Sequence, residues 1–353
     1  MKNLKKGFIL MAAAGLAAAM LGGCGEKKES GESAAAETSV AKTADAQTGA
    51  EPEASVDTKW PERTIEMVVP FKAGGDTDFY ARTYAKYLEK ELGQTVTIIN
   101  TEGAGGTVGA QSVADAKNDG YKVLFYHTGN LYTNKLLGAS DLDQNSFDIS
   151  CIGVIDNTNV LCARKNLGIT DAKDFLEKAK AEPGKYSCAT TISGFSYFTL
   201  CKMEKTGEFE VNPVDAGGAS AMIPALLGDQ VDLAVNSYGV FKQYIDNGDI
   251  VPLMMTGKER NKNFPDVPTT TELGLKDSDA ERAYFIAFPK GTDPSILQKM
   301  SDAVKNIQDN EEYKNDISQT YFVEPAFVPH DEVQAYMDNM WASMEPYQGA
   351  MEQ

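Results

Sequence analysis

Three strand-like segments separated by two helical ones open the folded part of this chain, and that alternation most restricts its architecture. Ile65-Glu66-Met67-Val68-Val69-Pro70, Thr95-Val96-Thr97-Ile98-Ile99 and Lys122-Val123-Leu124-Phe125-Tyr126 are short runs dominated by apolar and β-branched residues. Between the first two, residues 78–92 carry Tyr80, Tyr84, Tyr87 and Leu88 at helical spacing and stop at Gly93, as a C-cap should. Residues 109–117 read as the second helix. Strand, helix, strand, helix, strand predicts a parallel sheet with right-handed crossovers. Ligands of such sheets bind beyond the carboxyl ends of the strands.

Those ends are unusual. The first strand runs into Pro70-Phe71-Lys72-Ala73-Gly74-Gly75-Asp76-Thr77-Asp78, the second into Asn100-Thr101-Glu102-Gly103-Ala104-Gly105-Gly106-Thr107-Val108-Gly109. Both loops place glycine where the backbone comes close to something and feed directly into a helix N-terminus. Such termini offer unpaired N–H groups and a positive dipole end, which together suit an anion. Thr77 and Thr107 add hydroxyl donors. Capped tight turns would use the same residue types, but two such loops on neighbouring strands favour a shared site. The spacing Gly103, Gly105, Val108 breaks the dinucleotide fingerprint, and no P-loop pattern exists.

The middle of the chain repeats the theme. Residues 170–181 read as an amphipathic helix opened by Thr170-Asp171, and residues 186–191 as a strand ending in Ile192-Ser193-Gly194-Phe195-Ser196 before the helix 197–205. Residues 210–214 form another strand, ending in Asp215-Ala216-Gly217-Gly218-Ala219-Ser220 before the helix 222–227. The strand 231–235 ends in Asn236-Ser237. A second set of small-residue loops therefore lies at strand ends, and two such domains face each other across a cleft. Toward the C-terminus, residues 294–308 and 331–344 are amphipathic helices, with Met337, Met340 and Trp341 as a core stripe.

The N-terminus states where the chain works. Met1-Lys2-Asn3-Leu4-Lys5-Lys6 is basic, residues 7–20 are apolar and rich in Ala, and Leu21-Gly22-Gly23-Cys24 follows. The run is too short to span a bilayer comfortably. Leu-Gly-Gly-Cys resembles the lipobox of bacterial lipoproteins, which implies cleavage before Cys24 and acylation, palmitate included, on its sulfur. Two or more acyl chains anchor stably where one is marginal. Residues 24–58 are Ala, Ser, Thr, Glu and Lys with almost no aromatic residue, and read as a solvated tether. The formal charge of −18 becomes three charges more negative once Lys2, Lys5 and Lys6 are removed. Such acidity argues against nucleic acid or an anionic lipid surface as partner. It leaves a small anion open, since local backbone dipoles outweigh distant screened charge.

Cysteine and histidine usage removes further chemistry. Cys151, Cys162, Cys188 and Cys201 lie in or near apolar stretches, where buried free thiols are expected, although disulfides are permitted outside the membrane. No C-x-x-C pair exists, and the chain has two histidines, His127 and His330, so zinc or His-based triads are not expected. No cofactor or metal is called for. A surface hydrolase would have to draw on Ser193, Ser196 and Asp78 without a histidine among them.

Several motifs together point to one family. Pro70-Phe71-x-x-Gly74-Gly75-x-Thr77-Asp78, Glu91-Leu92-Gly93-Gln94-x-Val96, Gly103-Ala104-Gly105-Gly106-x-x-Gly109-Ala110 and Asp119-Gly120-Tyr121 resemble the extracytoplasmic receptors of tripartite tricarboxylate transporters, often called Bug receptors. So do Ala225-Leu226-Leu227-Gly228-x-Gln230-Val231-Asp232-Leu233 and Phe264-Pro265-Asp266-Val267-Pro268-Thr269. The resemblance implies an α/β architecture: a two-domain periplasmic-binding-protein (Venus-flytrap) fold, each domain a mainly parallel sheet flanked by helices. It implies a monomeric, membrane-anchored receptor that delivers a small carboxylate (a dicarboxylate, tricarboxylate, aromatic acid or amino acid) to transporter subunits. A sensory lipoprotein would share these features.

The family also implies roles. Ala73, Gly75, Thr77 and Asp78, with Gly106, Thr107 and Gly109, would clamp one carboxylate. Thr191, Ser193, Gly194 and Ser196, with Gly217, Gly218, Ala219 and Ser220, would close from the second domain. Asn236 would face the cleft, and Thr128 would stand at the mouth of the third strand, beside a satisfied surface His127. Departures are visible. Asp76 adds a carboxylate beside an anion site, which Lys72 would offset or a ligand cation would meet. Tyr197 and Phe198 stand where relatives often have a histidine, and no arginine occupies the four loops. The expected division is 1–23 signal, 24–58 lipidated Cys24 and tether, 59–156 with 252–353 as one domain, and 157–251 as the other. The hinge strands would then lie near residues 156–161 and 250–254, with 284–288 as an alternative for the second.

Overall fold

Two five-stranded sheets organise the computed structural model, which describes residues 59–352. The signal segment, Cys24 and the tether lie outside the described residues. The elements follow as β1 Ile65–Val69, α1 Asp76–Leu92, β2 Val96–Asn100, α2 Thr107–Ala114, β3 Lys122–His127, α3 Thr128–Leu136 and β4 Phe147–Asp156. The chain then builds β5 Asn159–Arg164, α4 Ala172–Ala181, β6 Ser187–Thr190, α5 Phe195–Gly207, β7 Asn212–Asp215, α6 Ala219–Leu227, β8 Leu233–Ser237, α7 Tyr238–Asp246 and β9 Ile250–Met255. It closes with β10 Arg282–Pro289, α8 Pro294–Gln308, α9 Glu311–Thr320 and α10 His330–Met344.

Strand order is β2-β1-β3-β10-β4 in the first sheet and β7-β6-β8-β5-β9 in the second. In each, three strands pair in parallel and one strand is reversed. That reversed strand is β10, antiparallel to β3 and β4, and β5, antiparallel to β8 and β9. Both reversed strands begin where the chain has just crossed between sheets, at Asn159 and Arg282. A strand entering from the cleft edge has to run away from it, so its first residue stays at the cleft. Four strands of each sheet still share a direction, and the small-residue loops collect at one end as expected. β9 pairs with β5 in the second sheet, and β10 returns the chain to the first.

Local sequence accounts for the helices. α1 starts at Gly75 with acidic residues in its first turn and stops at Gly93, whose φ of 67° and N–H to Glu89 O make an αL cap. Its periodic face is core: Tyr80, Tyr84, Tyr87 and Leu88 are all essentially buried. Tyr84 donates to Gly153 O at 2.6 Å and lies 2.6 Å from the Tyr313 hydroxyl. A Cβ on Gly153 would come within 2.5 Å of the Tyr84 oxygen, so only glycine fits that strand position. Asp293 caps α8, and Pro294 sits at its first turn. Met337 is buried against the first sheet, with Met340 and Trp341 packed beside it, so the stripe on α10 is core. Cys151, Cys162, Cys188 and Cys201 are buried free thiols whose ionisation burial disfavours. No helix among the described residues is long and apolar enough to cross a membrane.

One titration follows directly from packing. Burial raises the Glu204 carboxyl to about 7, against the opposing Val211 N–H it accepts at 2.8 Å. A raised carboxyl favours the protonated folded state, so its penalty is absent below the unfolded value and grows as pH rises through 7. Glu204→Gln should therefore stabilise the protein by about 2 kcal/mol at pH 8 and by nearly nothing at pH 4.5. Urea denaturation at the two pH values checks it, and an equal gain at both would contradict the assignment.

Candidate functional site

Four helix starts converge on a small cavity between the two sheets, about 100 Å³ in volume. Phe71, Asp76 and Thr77 line it from the β1–α1 loop, and His127 and Asn130 from the start of α3. Thr191, Gly194, Phe195 and Ser196 come from the start of α5, and Gly217, Gly218 and Ala219 from the start of α6. Asn159, Asn236 and Arg282 complete the wall from strand ends.

The helix starts are not equivalent. α1 already has Asp76 and Asp78 in its first turn, and α3 is capped by His127 Nδ1, which accepts from Asn130 N at 3.2 Å. α5 and α6 begin at Gly194 and Gly218, which have no side chain to cap them, although Phe195 N at the start of α5 donates to Asn130 Oδ1 at 3.2 Å. The start of α6 is therefore the one left most open to a negative group.

A buried charge network supports the wall. Arg282 Nη1 lies 2.9 Å from Asp76 Oδ2, and its Nη2 donates to Asp156 Oδ2 at 2.9 Å and to Ser237 Oγ. Asp76 further accepts from Tyr284 Oη at 3.0 Å and from Thr77 N at 2.8 Å and Oγ1 at 3.3 Å. Asp156, fully buried, also accepts from Thr158 N and Oγ1 and from Ser237 Oγ. Burial works to raise the Asp76 pKa, yet the Arg282 guanidinium and these donors hold it below the ordinary carboxylate value. Burial and the same guanidinium push His127 down to about 3, so the ring is neutral and carries its proton on Nε2.

The expected residues divide into two groups. Thr77, Thr191, Gly194, Ser196, Gly218, Ala219 and Asn236 line the cavity. Ala73 and Ser220 are exposed, and Gly75 is the N-cap of α1. Asp78 braces its own loop, accepting from Gly74 N, Arg82 Nε and Asn100 Nδ2 at 2.9 Å each. Thr128 is fully buried and accepts from Ala283 N at 3.1 Å. Ser193 O accepts from Thr133 Oγ1 at 2.8 Å, joining the two lobes.

The second glycine loop does not line this cavity. A Cβ on Gly106 would lie 2.8 Å from the Tyr126 hydroxyl, and one on Gly109 would lie 2.7 Å from both Pro70 Cβ and Thr101 O. Gly105 O accepts from Tyr126 Oη, Asn130 Nδ2 and Asn134 Nδ2 at 3.0 Å each. Here the glycines serve contact between loops, and Thr107 Oγ1 is buried without a partner.

Two expectations need correction. His127 is not on the surface but buried and stacked on Phe71 at 5.4 Å. Lys72 does not offset Asp76; it faces Glu102 at 3.5 Å on the surface, and Arg282 takes that role. An arginine does reach the cleft, from β10 rather than from the four loops. Arg282 and Asn159 begin reversed strands, so the strand carboxyl ends, where small-residue loops mark a site, do not include them. The Ser193, Ser196, Asp78 set forms no nucleophile–base pair: Ser196 Oγ accepts from Thr191 N, and Asp78 is spent on its brace. No metal-holding cluster occurs among the described residues.

Residues 80–341 match the family described as tripartite tricarboxylate transporter family receptor. The chain is 30% identical over 249 residues to protein BugT of Bordetella pertussis, covering 69% of this chain and 75% of that protein. It is also 30% identical over 276 residues to a UPF0065 protein from the gbd 5′ region of Cupriavidus necator, covering 76% and 82%. Among solved structures, the periplasmic binding protein BugD superposes with a TM-score of 0.72 at 27% identity, covering 82% of this chain and 98% of that one. A protein of R. palustris solved with adipate shares the fold, with a TM-score of 0.75 at 22% identity over 83% and 98% of the two chains. These relatives are solute-binding receptors rather than enzymes, and the chain belongs to the extracytoplasmic receptors of the tripartite tricarboxylate transporter family.

Proposed function

We propose that this chain is a monomeric, lipid-anchored receptor that closes two lobes over a small carboxylate and presents it to a membrane transporter of the tripartite type. One observation carries the ligand class: the starts of α5 and α6, which begin at glycines without a capping side chain, meet Thr77 and Asn236 at one cavity. Strand pairing supports two lobes built on the two sheets, with crossings at residues 156–159 and 256–281. Leu21-Gly22-Gly23-Cys24 supports the anchor, with acylation on Cys24. Ligand that touches both lobes favours their closed arrangement by its differential affinity.

Native mass spectrometry of the full chain, purified without refolding, followed by thermal-shift screening of carboxylates, tests the reading. A co-purified small acid is expected, or a stabilisation of about 3 kcal/mol by one carboxylate at a hundredfold excess over its Kd. Indifference to every carboxylate together with stabilisation by amines or neutral solutes would overturn it.

A further inference from the structure

Helix α5 belongs to both lobes. Leu200 and Met203 pack into the core of the second sheet, while Phe195, Tyr197, Phe198 and Cys201 pack into that of the first. Its far half is tied to the second crossing: Lys202 Nζ donates to Asp279 O, and Phe198 meets Tyr347 edge-on at 5.7 Å. Tyr347 Oη in turn donates to Asp277 O at 3.3 Å. The other end of α5, about two turns and 10 Å from Lys202, lines the cavity. A helix fastened at the crossing and reaching to the cleft acts as a lever. What grips its cleft end sets how readily the lobes part.

That grip comes from α3 of the first lobe. Gly194 has no side chain to cap α5, and Asn130 Oδ1 supplies the cap from across the cleft, accepting from Phe195 N at 3.2 Å. Three residues further along α3, Thr133 Oγ1 donates to Ser193 O at 2.8 Å. Asn130 is itself held in place: its N donates to His127 Nδ1 at 3.2 Å and its Nδ2 to Gly105 O at 3.0 Å. Asn130, Thr133 and Phe195 are all buried. A cap supplied by the helix's own chain survives separation of the lobes, whereas one supplied across the cleft exists only while they meet. Parting them strips Phe195 N of its partner, and a first-turn N–H has no carbonyl within the helix to replace it. Both cross-lobe bonds form without any solute.

Resting on the receptor reading above, we propose that Asn130, with Thr133, is a positioning latch: it holds the start of α5 against the first lobe in the absence of solute. The wall formed by Gly194, Phe195 and Ser196 is then in place before the solute arrives. The apparent affinity of such a receptor is its intrinsic affinity scaled by the fraction already closed. Thr133 does not line the cavity, so loosening the latch there lowers affinity for every solute alike.

Pulsed electron–electron distance measurements test this on the full chain, stripped of co-purified solute, in a Cys24→Ser background. Spin labels at Val108→Cys on α2 and Leu227→Cys on α6 report the separation of the lobes; both positions are exposed, and Cys151, Cys162, Cys188 and Cys201 are buried. Without solute the background should show one short distance. Asn130→Ala should lower the ratio of closed to open about tenfold, and Thr133→Val should shift it the same way. Tyr132→Phe is the control. It removes a buried hydrogen bond from the same helix, Tyr132 Oη to Met337 O at 2.9 Å, but one that stays within the first lobe, and should leave the distance unchanged. A background already open without solute, variants indistinguishable from it, or equal opening by Tyr132→Phe would overturn the latch. No solute enters these measurements, so each of those outcomes leaves the receptor reading standing, and the carboxylate screen decides that reading separately.

Discussion

Arg282→Met is expected to destabilise the protein by about 3–5 kcal/mol at neutral pH, because it strands two buried carboxylates. Asp156 is fully buried, and Asp76 depends on the guanidinium to stay charged. The sign of the pH dependence separates this from simple loss of packing. In the intact protein Asp76 titrates below its ordinary value, so its contribution is present above pH 3.8 and fades as pH falls through that region. In the variant Asp76 loses the guanidinium while burial still opposes its ionisation, so its preference reverses and the deficit shrinks as pH drops toward 5. Urea denaturation at pH 7.5 and pH 5 measures both. A deficit below about 1 kcal/mol at pH 7.5, or one that does not change with pH, would mean the network is not a coupled charge cluster.

Gly129→Leu is expected to weaken ligand binding by about 10–100-fold while the chain still folds. Gly129 lies on α3 of the first lobe, and a Cβ there would stand 2.6 Å from Phe195 Cβ at the start of α5 on the second. The same two helices meet through Phe195 N, which donates to Asn130 Oδ1 at 3.2 Å. A leucine side chain in that contact holds the lobes apart, and within α3 itself leucine is a better helix former than glycine. The loss should therefore fall on closure and not on stability. Small-angle scattering with and without ligand reads the closure directly: wild type should compact and the variant should not. Equal compaction and equal affinity would show that this contact does not limit closure.

The architecture was legible because periodicity and small residues are local signals. Tyr80, Tyr84, Tyr87 and Leu88 define a buried helix face from spacing alone, and Gly93 ends that helix by a backbone requirement. The loops before α5 and α6 are legible for the same reason: their small residues mark strand ends, and Gly194, Gly217 and Gly218 line the cavity there. The second glycine loop is ambiguous in sequence, because close packing against Pro70 and Tyr126 demands glycine as strongly as an approaching ligand would. A sequence records that the space is small, not what fills it.

By itself, then, the sequence determined an α/β receptor with helix starts gathered at strand ends, an acidic chain and a lipoprotein-like N-terminus. Only the tertiary structure decided which charges meet. Asp76 and Arg282 are 206 positions apart, and their pairing depends on β10 running against its neighbours. Strand direction follows from where the chain re-enters a sheet, which no local pattern encodes. That reversal carries Arg282 and Asn159 to the cleft, buries His127 behind Phe71, and turns an unfavourable extra aspartate into the support of an arginine.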